Sequence, residues 1–543
     1  MNNTVFRFAV PQNEPIDAYL PGSATRAKLK LELARVASAE TEIPLIINGK
    51  EVRTGKTAKV VMPCNHRRTL ATYHQATEKE VRLAIDTAVS ARKKWETMSW
   101  VDRASITLKA ADLLSKKYRD AVNATTMLGQ GKNAYQAEID SACEAIDFLR
   151  YNAYFASQIY ADQPRSGFDQ LNRMEYRPLE GFVFTVTPFN FTAIASNLNM
   201  SVVLMGNTVV WKPATTAILS NYQLMKVFQE AGVPDGVINF VPGSGSLIGK
   251  EVFRSRDLAG VHFTGSNSTF NQLWRSVTEH LATYRAYPRM VGETGGKDFI
   301  VVHASADPQE VATAIVRGAF EYQGQKCSAA SRAYVPRSLW SSIRDRLVAM
   351  TRDIRMGDVT DFRNFMNAVV DEAAFDGIMG YIERAKSSPS AEIVCGGNGD
   401  KSVGYFIEPT VIHTTDPHFV TMEEEIFGPV ITIFVYEDKD FEQALTLCDE
   451  TSPYGLTGAI FARDRYAVVR ACQVLRHAAG NFYINDKPTG AMVGLQPFGG
   501  ARASGTNDKA GGPLNLQRWV SPRTIKETFV PATDFRYPFM GEE

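Results

Sequence analysis

No Cys-x-x-Cys pair occurs among the six cysteines (Cys64, Cys143, Cys327, Cys395, Cys448 and Cys472), and no histidine stands at metal-ligand spacing from them. That argues against a zinc site and a disulfide framework, and suits a reduced, intracellular chain without a metal. A net excess of either charge is missing too. Lys plus Arg number 59 and Asp plus Glu 59, so no net field draws nucleic acid or an anionic membrane. No apolar run approaches the roughly 18 residues of a membrane span. The opening MNNTVFRFAVPQNEPIDAYLPG has no apolar core, few Arg and acidic Glu14 and Asp17, unlike a secretory or transit peptide. The expected compartment is the cytoplasm, or the mitochondrial matrix if the source is eukaryotic and a presequence is absent from this chain. Low-complexity segments and fixed-period repeats are also missing.

What is present is alternation. At 543 residues the chain is too long for one core, and two large domains with an accessory element are expected. EKEVRLAIDTAVSARKKWETM (78–98) is amphipathic at helical spacing, and the stretch from Asp102 continues as helix. GFVFTVTP, NTVVWKP, GVINFVPG and GVHFTGS are short, β-branched and bounded by Gly or Pro, as buried parallel strands are. A second alternating series follows GETGGKDFIVV, which places a boundary near Gly295 and Gly296. DQLNRMEYRPLE (169–180) reads as a polar excursion and SPRTIKETFV as an exposed strand, both of a kind that pairs with another chain.

Chemistry concentrates at EYQGQKCSAASR, where Cys327 sits among Gly, Gln, Lys and Ser rather than in an apolar segment. A filler cysteine prefers apolar neighbours; a nucleophile needs open backbone and room for a substrate. Lys326 could lower the thiol pKa, although a solvent-exposed lysine is the plainer reading. The glycines of GSGSLIG (243–249) are spaced GxGxxxG, a weak dinucleotide signal. FTGS, ending at Gly265 and Ser266, leads into NSTFNQLW as a diphosphate-binding helix start or a plain helix cap.

Asn190 in TPFNFTA, Glu293 in VGETGGKDF and Cys327 in GQKCSA, with WKPA, EEIFGPV and FGGARASG, resemble the aldehyde dehydrogenase superfamily in order and spacing over nearly the whole chain. GQGK, QAEIDSACEAIDFLR, GNFYINDKPTGA and QPFGGARASGTNDKAGG narrow the resemblance to the branch that oxidises L-glutamate γ-semialdehyde, in the second step of proline degradation. The resemblance implies an α/β fold: a Rossmann-type NAD-binding domain (1–168 and 181–294), an α/β catalytic domain (295–510) and a β oligomerisation flap (169–180 and 511–543). It also implies a homodimer or higher homo-oligomer and, as a possible partner, a proline dehydrogenase.

The same resemblance implies roles. Cys327 attacks the aldehyde, the Asn190 amide and the Cys327 N–H hold the oxyanion, and Glu293 activates the water that hydrolyses the thioester. Thr187, Lys212, Gly265, Ser266, Glu425 and Phe427 would contact NAD. Ser328 with the backbone of Gly490 and Ala491 would receive the substrate carboxylate, and Phe191 and Phe498 would bracket its aliphatic middle. Alone, each residue has a structural reading as core filler, cap or solvated charge. Thr215 stands where many NAD-preferring members carry Glu, and Phe270 where many carry a second Gly, so NADP use stays open. A dehydrogenase for another short aldehyde, a non-catalytic scaffold and a thiol hydrolase are the alternatives.

Overall fold

The computed structural model describes Phe6 and residues 8–542; residues 1–5, Arg7 and Glu543, which fall inside the expected terminal segments, lie outside it. Two seven-stranded sheets dominate. The first runs, edge to edge, Arg289–Glu293, Leu258–Thr264, Phe182–Val186, Thr208–Lys212, Ile238–Phe240, Leu45–Ile47 and Lys50–Val52. Its first five strands are parallel and the last two are added antiparallel. Leu258–Thr264 is buried along its full length, as a strand covered on both faces must be.

Helix Glu78–Trp95 shows how the covering layer forms. Val81, Ala84, Ile85 and Ala88 recur at helical spacing and are buried, and the Thr77 N–H donates to Glu80 Oε2 at 3.0 Å to start the helix. Three strands, Thr41–Ile43, Thr57–Met62 and Asn65–His74, make a separate sheet. The sequence reading assigned none of the five strands between Thr41 and His74. Three of them are only three residues long, too short for alternation to register.

The second sheet runs Ala391–Cys395, Thr410–Thr414, Val430–Tyr436, Ala330–Pro336, Asp298–Val302, Thr457–Phe461 and Asn481–Ile484, all parallel except the first edge strand. The chain leaves the first sheet at Glu293 and enters the second at Asp298, so Thr294–Lys297 is the crossing. Glycine is required there. A Cβ on Gly295 would lie 2.0 Å from the Glu425 carboxylate, and one on Gly296 2.6 Å from the Cys327 carbonyl oxygen. Gln170–Pro178 pairs with Val520–Thr528 through nine residues as a two-stranded antiparallel ribbon with no buried residue except Val520. Among the described residues no helix is long and apolar enough to cross a membrane.

Candidate active site

The strand register aligns the carboxyl ends of the first sheet. Val186 pairs with Lys212 and with Phe263, and Thr264 with Glu293, so Thr187, Lys212, Gly265 and Glu293 share one edge. In open α/β sheets that edge is where ligands bind. Two helices begin there, Gly245–Arg254 and Asn267–Glu279, with free N–H dipoles at their starts. Lys212 is largely covered, burial lowers its pKa, and its Cε lies 3.9 Å from where a Cβ on Gly245 would sit. A glycine start to that helix therefore keeps the lysine beside the helix N-terminus. The Thr187 hydroxyl accepts from Trp211 Nε1 at 3.0 Å. Ser266 caps the second helix by accepting from the Thr269 N–H, and the Gly265 N–H donates to the Glu293 carbonyl at 3.2 Å. The side-chain oxygen of Ser266 thus does what a plain cap does, while the helix N–H groups remain at the edge.

The turn after Phe182–Val186 carries Asn190, whose Nδ2 donates to the Gln325 carbonyl at 3.1 Å. An amide NH2 has two donors, so one N–H anchors Asn190 to the Cys327 loop and leaves the other for a ligand. Glu293 closes strand Arg289–Glu293, and its Oε2 accepts the Gly500 N–H at 3.3 Å. Burial pushes its carboxyl well above the usual range, with Asp508 adding to the effect. A Cβ on Gly499 would lie 2.8 Å from Glu293 Oε1, which sets the glycine pair after Phe498 directly against this carboxyl.

Cys327 is partly accessible, yet burial of its sulfur raises the thiol pKa well above the ordinary value, and Asp298, Glu293, Glu425 and Glu144 push it further. Lys326 does not offset this. It is 5% exposed rather than solvated, and its Nζ pairs with Glu321 Oε2 at 3.0 Å. The solvent-exposed reading of Lys326 is therefore corrected: a lysine between glutamine and cysteine in sequence gives no hint of a buried carboxylate five residues upstream. Glu425 Oε1 accepts the Gly296 N–H at 2.9 Å, and burial raises its pKa to about 7. Phe427, held at φ 57°, meets Phe189 edge-on at 5.7 Å between centroids.

Ser328 follows the thiol and its hydroxyl lies 2.8 Å from the Thr489 hydroxyl, which joins the Cys327 loop to Gly490 and Ala491. Gly490 takes φ +100°, a backbone that an L side chain rarely adopts. Lys487 Nζ donates to the Thr489 carbonyl at 3.1 Å and adds a half-buried cation beside that loop. Phe191 lies under the Lys132 ammonium, 4.1 Å from ring centroid to Nζ, and Phe498 exchanges two main-chain hydrogen bonds with Ala510. Thr215 is exposed at the start of a short 3₁₀ turn, and buried Phe270 stacks on Phe263 at 5.4 Å.

Sequence reasoning missed Glu144. It ends the π-helical turn Glu138–Glu144, where burial raises its pKa well above normal and Lys132 and Lys326 pull it back. Such π-turns inside α-helices are frequent at functional sites, but their wider winding leaves no periodic signature over seven residues. Among the described residues no group of three or more His, Cys, Asp or Glu is gathered as metal ligands would be.

The model of the "Aldehyde dehydrogenase family" matches residues 51–525. The "Delta-1-pyrroline-5-carboxylate dehydrogenase, mitochondrial" of Dictyostelium discoideum is 53% identical over 533 residues, covering 98% of this chain and 96% of that protein. The Agaricus bisporus "Delta-1-pyrroline-5-carboxylate dehydrogenase" is 51% identical over 536 residues, 98% of each chain. Among solved structures, the Mycobacterium tuberculosis Delta-pyrroline-5-carboxylate dehydrogenase bound with NAD superposes with a TM-score of 0.96 at 49% identity, over 100% of both chains. With a match across most of its length and relatives at about half identity, the chain belongs to the aldehyde dehydrogenase family.

Proposed function

We propose that the protein catalyses NAD-dependent oxidation of L-glutamate γ-semialdehyde, formed by spontaneous opening of Δ1-pyrroline-5-carboxylate, to L-glutamate. The observation that carries this reading is the convergence of a partly accessible thiol, an anchored amide with a spare donor and a buried carboxyl. An aldehyde does not release hydride readily until a nucleophile makes its carbon tetrahedral. Cys327 supplies the sulfur. The second Asn190 N–H and the Cys327 N–H hold the oxygen that becomes negative, and losing one such donor typically costs about 3 kcal/mol. Glu293 then takes a proton from the water that hydrolyses the thioester.

The edge formed by Lys212, Thr187 and the two helix starts fits a dinucleotide, with Gly265 and Ser266 at the second helix start and Glu425 and Phe427 toward the nicotinamide end. NAD, when bound there, accepts the hydride. No carboxylate stands at exposed Thr215 to repel a 2′-phosphate, which leaves NADP use open.

Ser328 Oγ and the N–H groups of Gly490 and Ala491 are the donors we assign to the α-carboxylate, with Phe191 and Phe498 against the methylenes. A site that neutralises a carboxylate leaves those donors unpaired when the substrate lacks one, at about 1 to 3 kcal/mol per group. Propanal should therefore show a far lower kcat/KM than glutamate semialdehyde, measured as NADH formation. Equal values would favour a broad aldehyde dehydrogenase instead.

The raised pKa values of Cys327 and Glu293 set the pH dependence. Both groups must lose a proton to act, so turnover should climb as the pH rises from neutral into the alkaline range. A flat profile across that interval would contradict the assignment of these two groups.

The ribbon of Gln170–Pro178 and Val520–Thr528, exposed or half-buried at every residue but Val520, is the element we assign to a homodimer or higher homo-oligomer. Pyrroline-5-carboxylate is the product of proline oxidation, which makes a proline dehydrogenase the partner that supplies it. Six cysteines unbridged in the structure suit a cytoplasmic or matrix compartment.

A further inference from the structure

A buried ammonium that this chemistry does not use joins the two halves of the proposed site. Lys132 is 1% exposed; its Nζ pairs with Asp140 Oδ2 and lies 4.1 Å from the Phe191 ring centroid and 4.3 Å from that of Tyr322. The Asp140 carboxylate also accepts the N–H groups of Thr192 at 3.3 Å and Ala193 at 3.2 Å. These are the first residues of helix Thr192–Leu204, which starts two positions after Asn190. One ion pair therefore caps the helix behind Asn190 and grips the ring of Phe191.

Its other contact belongs to the nucleophile. Tyr322, Gln323 and Gly324 take φ of 53°, 56° and 66°, so two non-glycine residues in succession occupy the left-handed region, a conformation that persists only where its surroundings enforce it. The enforcement is visible. Gln323 Nε2 donates to the carbonyls of Gly131 at 2.8 Å and Ala368 at 2.9 Å, and its Oε1 accepts the Asn367 N–H at 2.9 Å. Gly131 directly precedes Lys132, in the GQGK stretch. After this turn come Gln325, whose carbonyl receives Asn190 Nδ2, and Cys327.

We propose that Lys132 is a positioning residue: its ammonium, held by Asp140 between the rings of Phe191 and Tyr322, pins the Asn190 arm to the turn that delivers Cys327 and so sets the rate of carbonyl attack. A desolvated ammonium between two aromatic faces is attracted to both, and a lysine suits the place because its charge is compact and its stem flexible. The proposal rests on the reading of Asn190 and Cys327 as oxyanion donor and nucleophile. A merely structural ion pair would affect how much protein folds, while a positioning residue affects how fast each folded site reacts.

The test uses Lys132→Met combined with Asp140→Asn, which removes both charges together and keeps an oxygen for the Thr192 and Ala193 N–H groups. Melting temperature, NAD affinity by fluorescence quenching, titratable Cys327 and the NADH burst rate are measured with pyrroline-5-carboxylate and with propanal. NAD affinity should be unchanged while the burst rate per titrated Cys327 falls about 30- to 100-fold with both aldehydes, since misplacing reacting groups by about 1 Å costs on that order. A burst per titrated thiol within about twofold of wild type, with only the folded fraction reduced, overturns the proposal. Should the double variant not fold, Tyr322→Leu keeps the ion pair and removes one ring; a fall of about tenfold per site supports the pin and an unchanged rate rejects it. A wild-type enzyme active on propanal but not on pyrroline-5-carboxylate would sink the substrate reading alone, and the propanal comparison would still decide the role of Lys132.

Discussion

Cys327→Ser should fold and bind NAD as the wild type does, yet lose more than about 99% of dehydrogenase turnover. Exchanging sulfur for oxygen at a partly accessible position removes little packing, so the loss is chemical. The surroundings sharpen the expectation. Burial and the carboxylates of Asp298, Glu293 and Glu425 already hold the thiol pKa high, and a hydroxyl, intrinsically far less acidic, would stay protonated there. Near-normal turnover in this variant would reject Cys327 as the nucleophile and return it to the role of a loop cysteine.

Glu293→Gln separates the two halves of the reaction. If Glu293 acts only after hydride transfer, the variant should reduce one equivalent of NAD per site in a rapid burst and then stall, because an amide cannot take a proton from water. The acceptor geometry favours survival of the fold, since a glutamine oxygen can still receive the Gly500 N–H. If Glu293 instead chiefly deprotonates Cys327, the burst slows along with turnover, and raising the pH restores it. Wild-type steady-state rates would remove Glu293 from both roles.

The strands that build the ligand edge could be read from the sequence because each is a compact apolar run closed by Gly, Pro or Lys: FVFTV before Thr187, TVVWK ending at Lys212, and LAGVHFT before Gly265. Helix Glu78–Trp95 was equally open to reading, its apolar positions falling on one face. Asn190, Glu293 and Cys327 stood out through the motifs around them, and the structure brings Asn190 and the Cys327 loop into direct hydrogen-bonded contact. What stayed hidden depends on distant pairing. Lys326 finds Glu321 through a turn with three left-handed residues, Gln323 satisfies carbonyls 192 and 45 positions away, and Lys132 reaches Phe191 across the π-turn. None of these contacts leaves a local period, because the groups that enforce them lie on other elements.

The most direct test of the account is a rapid-mixing experiment in which the purified wild-type protein meets NAD and pyrroline-5-carboxylate, with NADH followed by absorbance and glutamate quantified at the end. The account predicts one glutamate for each NADH formed, abolished by prior alkylation of Cys327. Robust NADH formation with propanal but none with pyrroline-5-carboxylate, or pyrroline-5-carboxylate oxidation that survives loss of the Cys327 thiol, would contradict it.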